Sequence, residues 1–135
     1  MTDISFYLFE KSPERQAESA CRLSRKILKQ SKKIWWHCTN VVQQQQLDEL
    51  LWSFDPNSFI PHGIHDEKAA VCISEHLPKS GHWVVFNFTE HVLAPQDTIE
   101  HMIEIVENQE STKMVGREKF KQYRRLGFSP RTFKL

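Results

Sequence analysis

Lys113, Arg117, Lys121 and then Arg124 or Arg125 recur at i, i+4, i+8 and i+11 or i+12 near the carboxyl end of the chain. On a helix that spacing stacks positive heads along one face, about 6 Å apart. Like charges so placed oppose one another, so the stripe costs stability until something anionic meets it. Phe120 stands three residues after Arg117 and sets a ring beside the guanidinium. An apolar spot ringed by Arg and Lys suits a terminal carboxylate, which Arg holds in a two-pronged fork, or a short acidic-hydrophobic peptide. It would also suit phosphates. The plainer alternative is a solvated basic face with Phe120 in the core.

A second set is Trp52, Phe54, Phe59, Ile60 and Pro61, which crowds large apolar side chains around a helix end and a loop. Exposed aromatics in such a place mark protein interfaces, whereas a loop folded back as a lid would bury them. His62, His65, Cys72 and His76 lie close in sequence but match no standard zinc spacing, and there is no CxxC. His37-Cys38 sits on a predicted strand, where neighbours face opposite ways. Asp48-Glu49 and Asp66-Glu67 are adjacent pairs, which diverge on a helix, so no general acid–base pair assembles. The four glycines, Gly63, Gly81, Gly116 and Gly127, are scattered. A phosphate loop and a GxGxxG turn both need clustered glycines, so neither is present, and no cofactor is expected.

The elements that must position these groups can be read coarsely. Residues 4–9 (ISFYLF) form an apolar strand. Ser12 and Pro13 then suit the cap and first turn of a helix over 13–30. Residues 34–38 (IWWHC) read as a second strand, and Thr39 or Asn40 caps a helix that fades after Trp52, before Asp55-Pro56. Residues 53–68 read as an irregular loop, Val71–Ser74 as a strand, 78–81 as a turn, and 83–88 (WVVFNF) as a central strand. A short helix over 96–102, a strand over 103–106, a helix over 110–126 ended by Gly127 and an irregular tail over 128–135 complete the reading. This order predicts a single three-layer α/β domain over residues 1–135: a mainly parallel sheet with helices on both faces, Rossmann-like without a phosphate-binding loop.

The whole chain fits one domain: 135 residues, 39% hydrophobic and 26% charged. No apolar run reaches the ~18–20 residues of a membrane span. The amino end lacks a basic region followed by an apolar one, and three cysteines make no even-numbered framework. The expectation is a cytoplasmic protein with reduced, buried thiols. The overall charge of +1 hides an asymmetry. Residues 1–110 carry 10 Lys and Arg against 16 Asp and Glu, net −6, while residues 111–135 carry 8 against 1, net +7. A mildly acidic body with a basic end points to a local anionic partner. Direct binding of single-stranded nucleic acid by the same helix is the alternative, and the acidic body weighs against it.

The motifs FYL (6–8), LDELLW (47–52), SFIPH (58–62) and REKFKQYRRLGF (117–128) resemble, in that order and across nearly the whole chain, the chi subunit family of bacterial DNA polymerase III holoenzyme. The resemblance implies a non-catalytic accessory subunit of the clamp-loader assembly. It implies a domain of nucleotide-binding outline that has lost its phosphate loop. It also implies two partners: the acidic, hydrophobic C-terminal tail of the single-stranded-DNA-binding protein, and the psi subunit, whose surface an XPD-type helicase shares in some bacteria. The tail pocket carries over onto Val106, Lys113, Arg117, Phe120 and Lys121, and the psi or helicase surface onto Trp52, Phe59 and Pro61 with His62 at its edge. The chain departs from the family in three ways. Phe120 stands where Tyr is frequent, Gly116 interrupts the pocket helix, and the loop over 64–70 is short.

Overall fold

A computed structural model describes residues 2–55 and 59–135. Its elements are β1 (Asp3–Leu8), α1 (Gln16–Leu28), β2 (Lys33–His37), α2 (Val41–Ser53), β3 (His62–Ile64), β4 (Val71–Ser74), β5 (Trp83–Asn87), β6 (Ile99–Val106), α3 (Glu110–Arg125) and β7 (Arg131–Lys134). The strands form one seven-stranded sheet in the order β3-β4-β2-β5-β6-β1-β7, and every pairing is parallel. β5 is the middle strand, in keeping with its almost wholly apolar sequence.

Strand alternation sorts the core into two layers. Ile34, Trp36, Val84, Phe86, Ile103 and Ile105 face one side, where Ala20 and Cys21 of α1 and Leu47 and Leu51 of α2 cover them. Ile4, Phe6, Trp35, Val85, Met102 and Val106 face the other, beneath Tyr123 of α3. A parallel sheet covered on both faces needs strands that are apolar on both faces, as these are. Among the described residues, no helix is long and apolar enough to cross a membrane.

Four local expectations need correction. Ser12 and Pro13 do not open α1. Ser12 Oγ instead accepts from the Glu14 N–H at 3.2 Å, and the cap residue is Arg15, whose side chain makes no capping bond. The helix starts late because its cap comes from across the sheet, as described below. Residues 96–102 are not a helix. A turn brings the Ile99 N–H onto the Gln96 carbonyl at 2.9 Å, and β6 then runs eight residues. The loop over 53–68 contains the short strand β3, and its Pro56 and Ser58 lie outside the described residues. The tail is not irregular, since β7 adds to β1 at the edge of the sheet. All four β7 side chains are exposed, so no apolar period announces it. What holds it is the backbone ladder and Phe133, stacked on Tyr7 at 5.1 Å. By contrast, Asn40 caps α2 as its type predicts, its side chain accepting from the Gln43 N–H at 3.0 Å.

Candidate functional site

The basic stripe borders a groove of about 580 Å³ between α3 and the β1–β7 edge of the sheet. Phe6, Leu8, Val106 and Phe120 give it an apolar floor, and Lys113, Arg117, Lys121, Arg124 and Lys134 surround it. All five residues assigned to the tail pocket therefore meet in one place. Phe120 is half-buried and meets Phe6 edge-on, ring centres 5.4 Å apart, so one side of the ring stays open to the groove. Among the described residues, Lys113, Arg117, Lys121 and Arg124 take part in no ion pair. Arg125 points elsewhere, 3.9 Å from Glu118, so Arg124 completes the stripe. The acid in the groove lining is Glu10, 3.5 Å from Lys134. With Glu10 engaged by Lys134, the four α3 cations beside a half-open ring favour an anion with an apolar end.

Gly116 explains why α3 lies so close. A Cβ built there would stand 2.8 Å from Val106 Cγ2, nearer than packed carbons approach. The missing side chain lets the helix settle onto β6 and makes Val106 the back wall of the groove.

Beneath α3 lies a charged network that residue types alone did not reveal. Lys119, only 6% exposed, turns inward, its Nζ donating to Glu104 Oε1 at 2.9 Å and to the Thr89 carbonyl. Glu104 Oε2 accepts from Asn87 Nδ2 at 2.8 Å and from the Tyr123 hydroxyl at 2.7 Å. Burial pushes the Glu104 carboxyl upward, against the pull of Lys119, Tyr123 and Asn87. Burial, with Glu104 alongside, also pushes Tyr123 upward. A signal was there to be read: Gly116, Lys119 and Tyr123 recur at i, i+3, i+7 on the inner face of α3, and Glu104 shares a strand face with Met102 and Val106. A charge on each buried line marks a pair.

At the carboxyl ends of the strands, the amino end of α1 is where a nucleotide-binding domain would cradle phosphate. Here Glu107 Oε2 accepts from the Gln16 N–H at 2.7 Å and from Arg15 Nε at 2.8 Å. The chain's own carboxylate fills the anion position, consistent with the scattered glycines.

The second cluster is at the far end of α2. Trp52 and Phe59 are 62% and 56% exposed, with ring centres 4.8 Å apart. His62 lies under both rings, 5.3 Å from Trp52 and 5.8 Å from Phe59. Its Nδ1 is 2.6 Å from the Ile60 carbonyl and its Nε2 is 3.2 Å from Asp48. Pro61 is exposed, while Ile60 turns into the core. The loop is thus divided: Ile60 behaves as a lid, and Trp52, Phe59 and Pro61 face outward. Among the described residues, no group of three or more His, Cys, Asp or Glu is placed to hold a metal. Burial pushes the Cys21 and Cys72 thiols up to about 12, as befits packing residues.

Sheet, helices and filled anion position define the class: a doubly wound, all-parallel α/β domain of nucleotide-binding outline without a phosphate loop. A family model described as DNA polymerase III chi subunit, HolC, matches residues 1–131. The chain is 30% identical over 132 residues to the DNA polymerase III subunit chi of Pseudomonas aeruginosa, covering 95% of this chain and 93% of that one. It is 26% identical over 118 residues to the subunit chi of Haemophilus influenzae (83% and 82% covered), and 22% identical over 143 residues to that of Escherichia coli (98% and 97% covered). The chain belongs to the DNA polymerase III chi subunit family.

Proposed function

We propose that this chi-family chain is a non-catalytic, cytoplasmic adaptor of the polymerase holoenzyme. Its α3 groove receives the acidic C-terminal tail of the single-stranded-DNA-binding protein. Its Trp52–Phe59–Pro61 surface, with His62 beneath, meets the psi subunit or an XPD-type helicase and so ties the chain to the clamp-loader assembly. The observation that carries the reading is the groove itself, where four α3 cations, without acid partners among the described residues, border the open side of Phe120. Arg117, Lys113 and Lys121 meet the terminal carboxylate and the acidic residues. Val106, Phe120 and the alkyl stems of the cations receive the terminal apolar side chain.

Titration with a synthetic nine-residue peptide, rich in Asp and ending in a Phe carboxylate, tests this. Binding weakens with added salt because the contacts are ionic. Arg117→Ala loses ~1.5–3 kcal/mol through its charged hydrogen bonds. Equal affinity in wild type and variant would remove Arg117 from the site. Naked single-stranded DNA binding as well as the peptide would favour direct nucleic-acid binding instead.

A further inference from the structure

The groove's outer wall is the free edge of the sheet. β7 is the last strand in the order, and among the described residues nothing pairs with its outer side. Its backbone parity can be worked out. The Leu135 N–H donates to the Leu8 carbonyl at 2.8 Å, and the Leu135 carbonyl accepts from the Glu10 N–H at 3.3 Å. In a parallel ladder alternate residues turn both backbone groups the same way, so Phe133 and Arg131 also face β1. Thr132 and Lys134 therefore turn their N–H and C=O outward. These same two residues place their side chains in the groove. The edge and the groove are one continuous surface, and its rim is cationic.

We propose that an acidic, extended segment just upstream of the bound tail terminus adds to β7 as an eighth strand, hydrogen-bonding to the outward N–H and C=O groups of Thr132 and Lys134. This rests on the groove being a tail socket and says how the rest of the tail is held. Charge complementarity selects the occupant. Lysines on an edge strand repel the edges of like chains, the usual protection against aggregation. Lys134, which lines the groove together with Lys121 and Arg124 of α3, attracts a strand bearing Asp and Glu. The backbone bonds are indifferent to side-chain order, so the edge reads extension and acidity while the socket reads the terminus.

Two probes separate edge from socket: the nine-residue Asp-rich peptide ending in Phe, and its last three residues alone. Amide hydrogen exchange is followed at Thr132 and Lys134 in the wild-type chain. The long peptide is expected to slow both amides at least tenfold, and the short one to leave them unchanged. Thr132→Pro removes the outward N–H and spares the β1 ladder. It should weaken the long peptide at least fivefold and the short one less than twofold, with Thr132→Ala as the side-chain control. If the long peptide binds through Arg117 but leaves both amides exchanging freely, the edge proposal fails and the socket stands. If neither peptide binds, both fail. If the amides slow with rising protein concentration in the absence of peptide, the edge belongs to a second copy and the proposal is overturned.

Discussion

At the scale of single residues, this chain uses its charges in opposite ways, and burial decides which. Lys121 is exposed beside the groove, whereas Lys119, two positions earlier, is enclosed with Glu104. Removing one partner of an enclosed pair strands the other without compensation, so Lys119→Met should cost ~3–5 kcal/mol of folding stability. Lys121→Met should stay within ~0.5 kcal/mol and show itself in peptide affinity. Urea unfolding of both variants checks the contrast, and equal losses would mean that the pair has no special standing. Two buried histidines contribute to the acid side of stability. Among the described residues the buried His37 Nδ1 has no hydrogen-bond partner, and burial lowers its pKa from 6.5 against the opposing pull of the His76 and Ser74 backbone. His101, 2.7 Å from Ser5 Oγ, is lowered by burial too, against the pull of Asp3 and Glu100. In both, the unfolded chain takes up a proton at its ordinary pKa while the folded chain resists until lower pH. Their contribution is therefore fully present above pH 6.5 and is lost as pH falls below it. Thermal midpoints measured from pH 7.5 to 5 should drop, and the drop should shrink in His37→Gln and in His101→Gln. An unchanged slope in both variants would place the proton uptake elsewhere.

At the scale of elements, α3 is where local propensity and tertiary packing disagree. Gly116→Ala in an isolated helix would gain ~1 kcal/mol. In this chain the added methyl meets Val106 Cγ2 at 2.8 Å, so the helix must lift away from β6. The expected outcome is a loss of ~1–3 kcal/mol from overpacking, together with weaker peptide binding as the groove's back wall shifts. Trimming the obstacle in Gly116→Ala/Val106→Ala should restore part of the stability, and chemical unfolding of the two singles and the double measures that coupling. If the two losses simply add, the contact is not what keeps Gly116 free of a side chain. The same helix shows what a sequence can disclose. Its four outward cations were legible because helical spacing alone stacks them, and Asn40 was legible as a cap because the helix it starts is local. α1 was misplaced by three residues because its first N–H is satisfied by Glu107, a residue 91 positions away. β7 was missed for a related reason. Its side chains are all exposed, and only a backbone ladder to the opposite end of the chain makes it a strand. Long-range backbone partners leave no period behind.

At the scale of the whole molecule, the two surfaces sit at opposite edges of the sheet. β3, which carries His62, is the first strand in the order, and β7 is the last. Six inter-strand steps at ~4.8 Å put these strands about 29 Å apart. Between them lies a core covered on one face by α1 and α2 and on the other by α3 with the loop residues Leu77, Val92 and Leu93. Sites so separated and without shared partners should act independently. Trp52→Ala/Phe59→Ala removes two exposed rings and no core, so stability should change by less than ~0.5 kcal/mol. Affinity for the acidic peptide should stay within twofold, while capture of psi or of the helicase is lost. Arg117→Ala should do the reverse. Combined, the three substitutions should give losses equal to the sum of the separate ones. The decisive measurement is a bridge. Immobilised single-stranded-DNA-binding protein should retain psi only when wild-type chain is added, and either set of substitutions should release psi while sparing the other two-body contact. Loss of both contacts from a change at one edge would mean that the sheet transmits strain from one surface to the other, and the picture of a rigid adaptor with two separate faces would have to be abandoned.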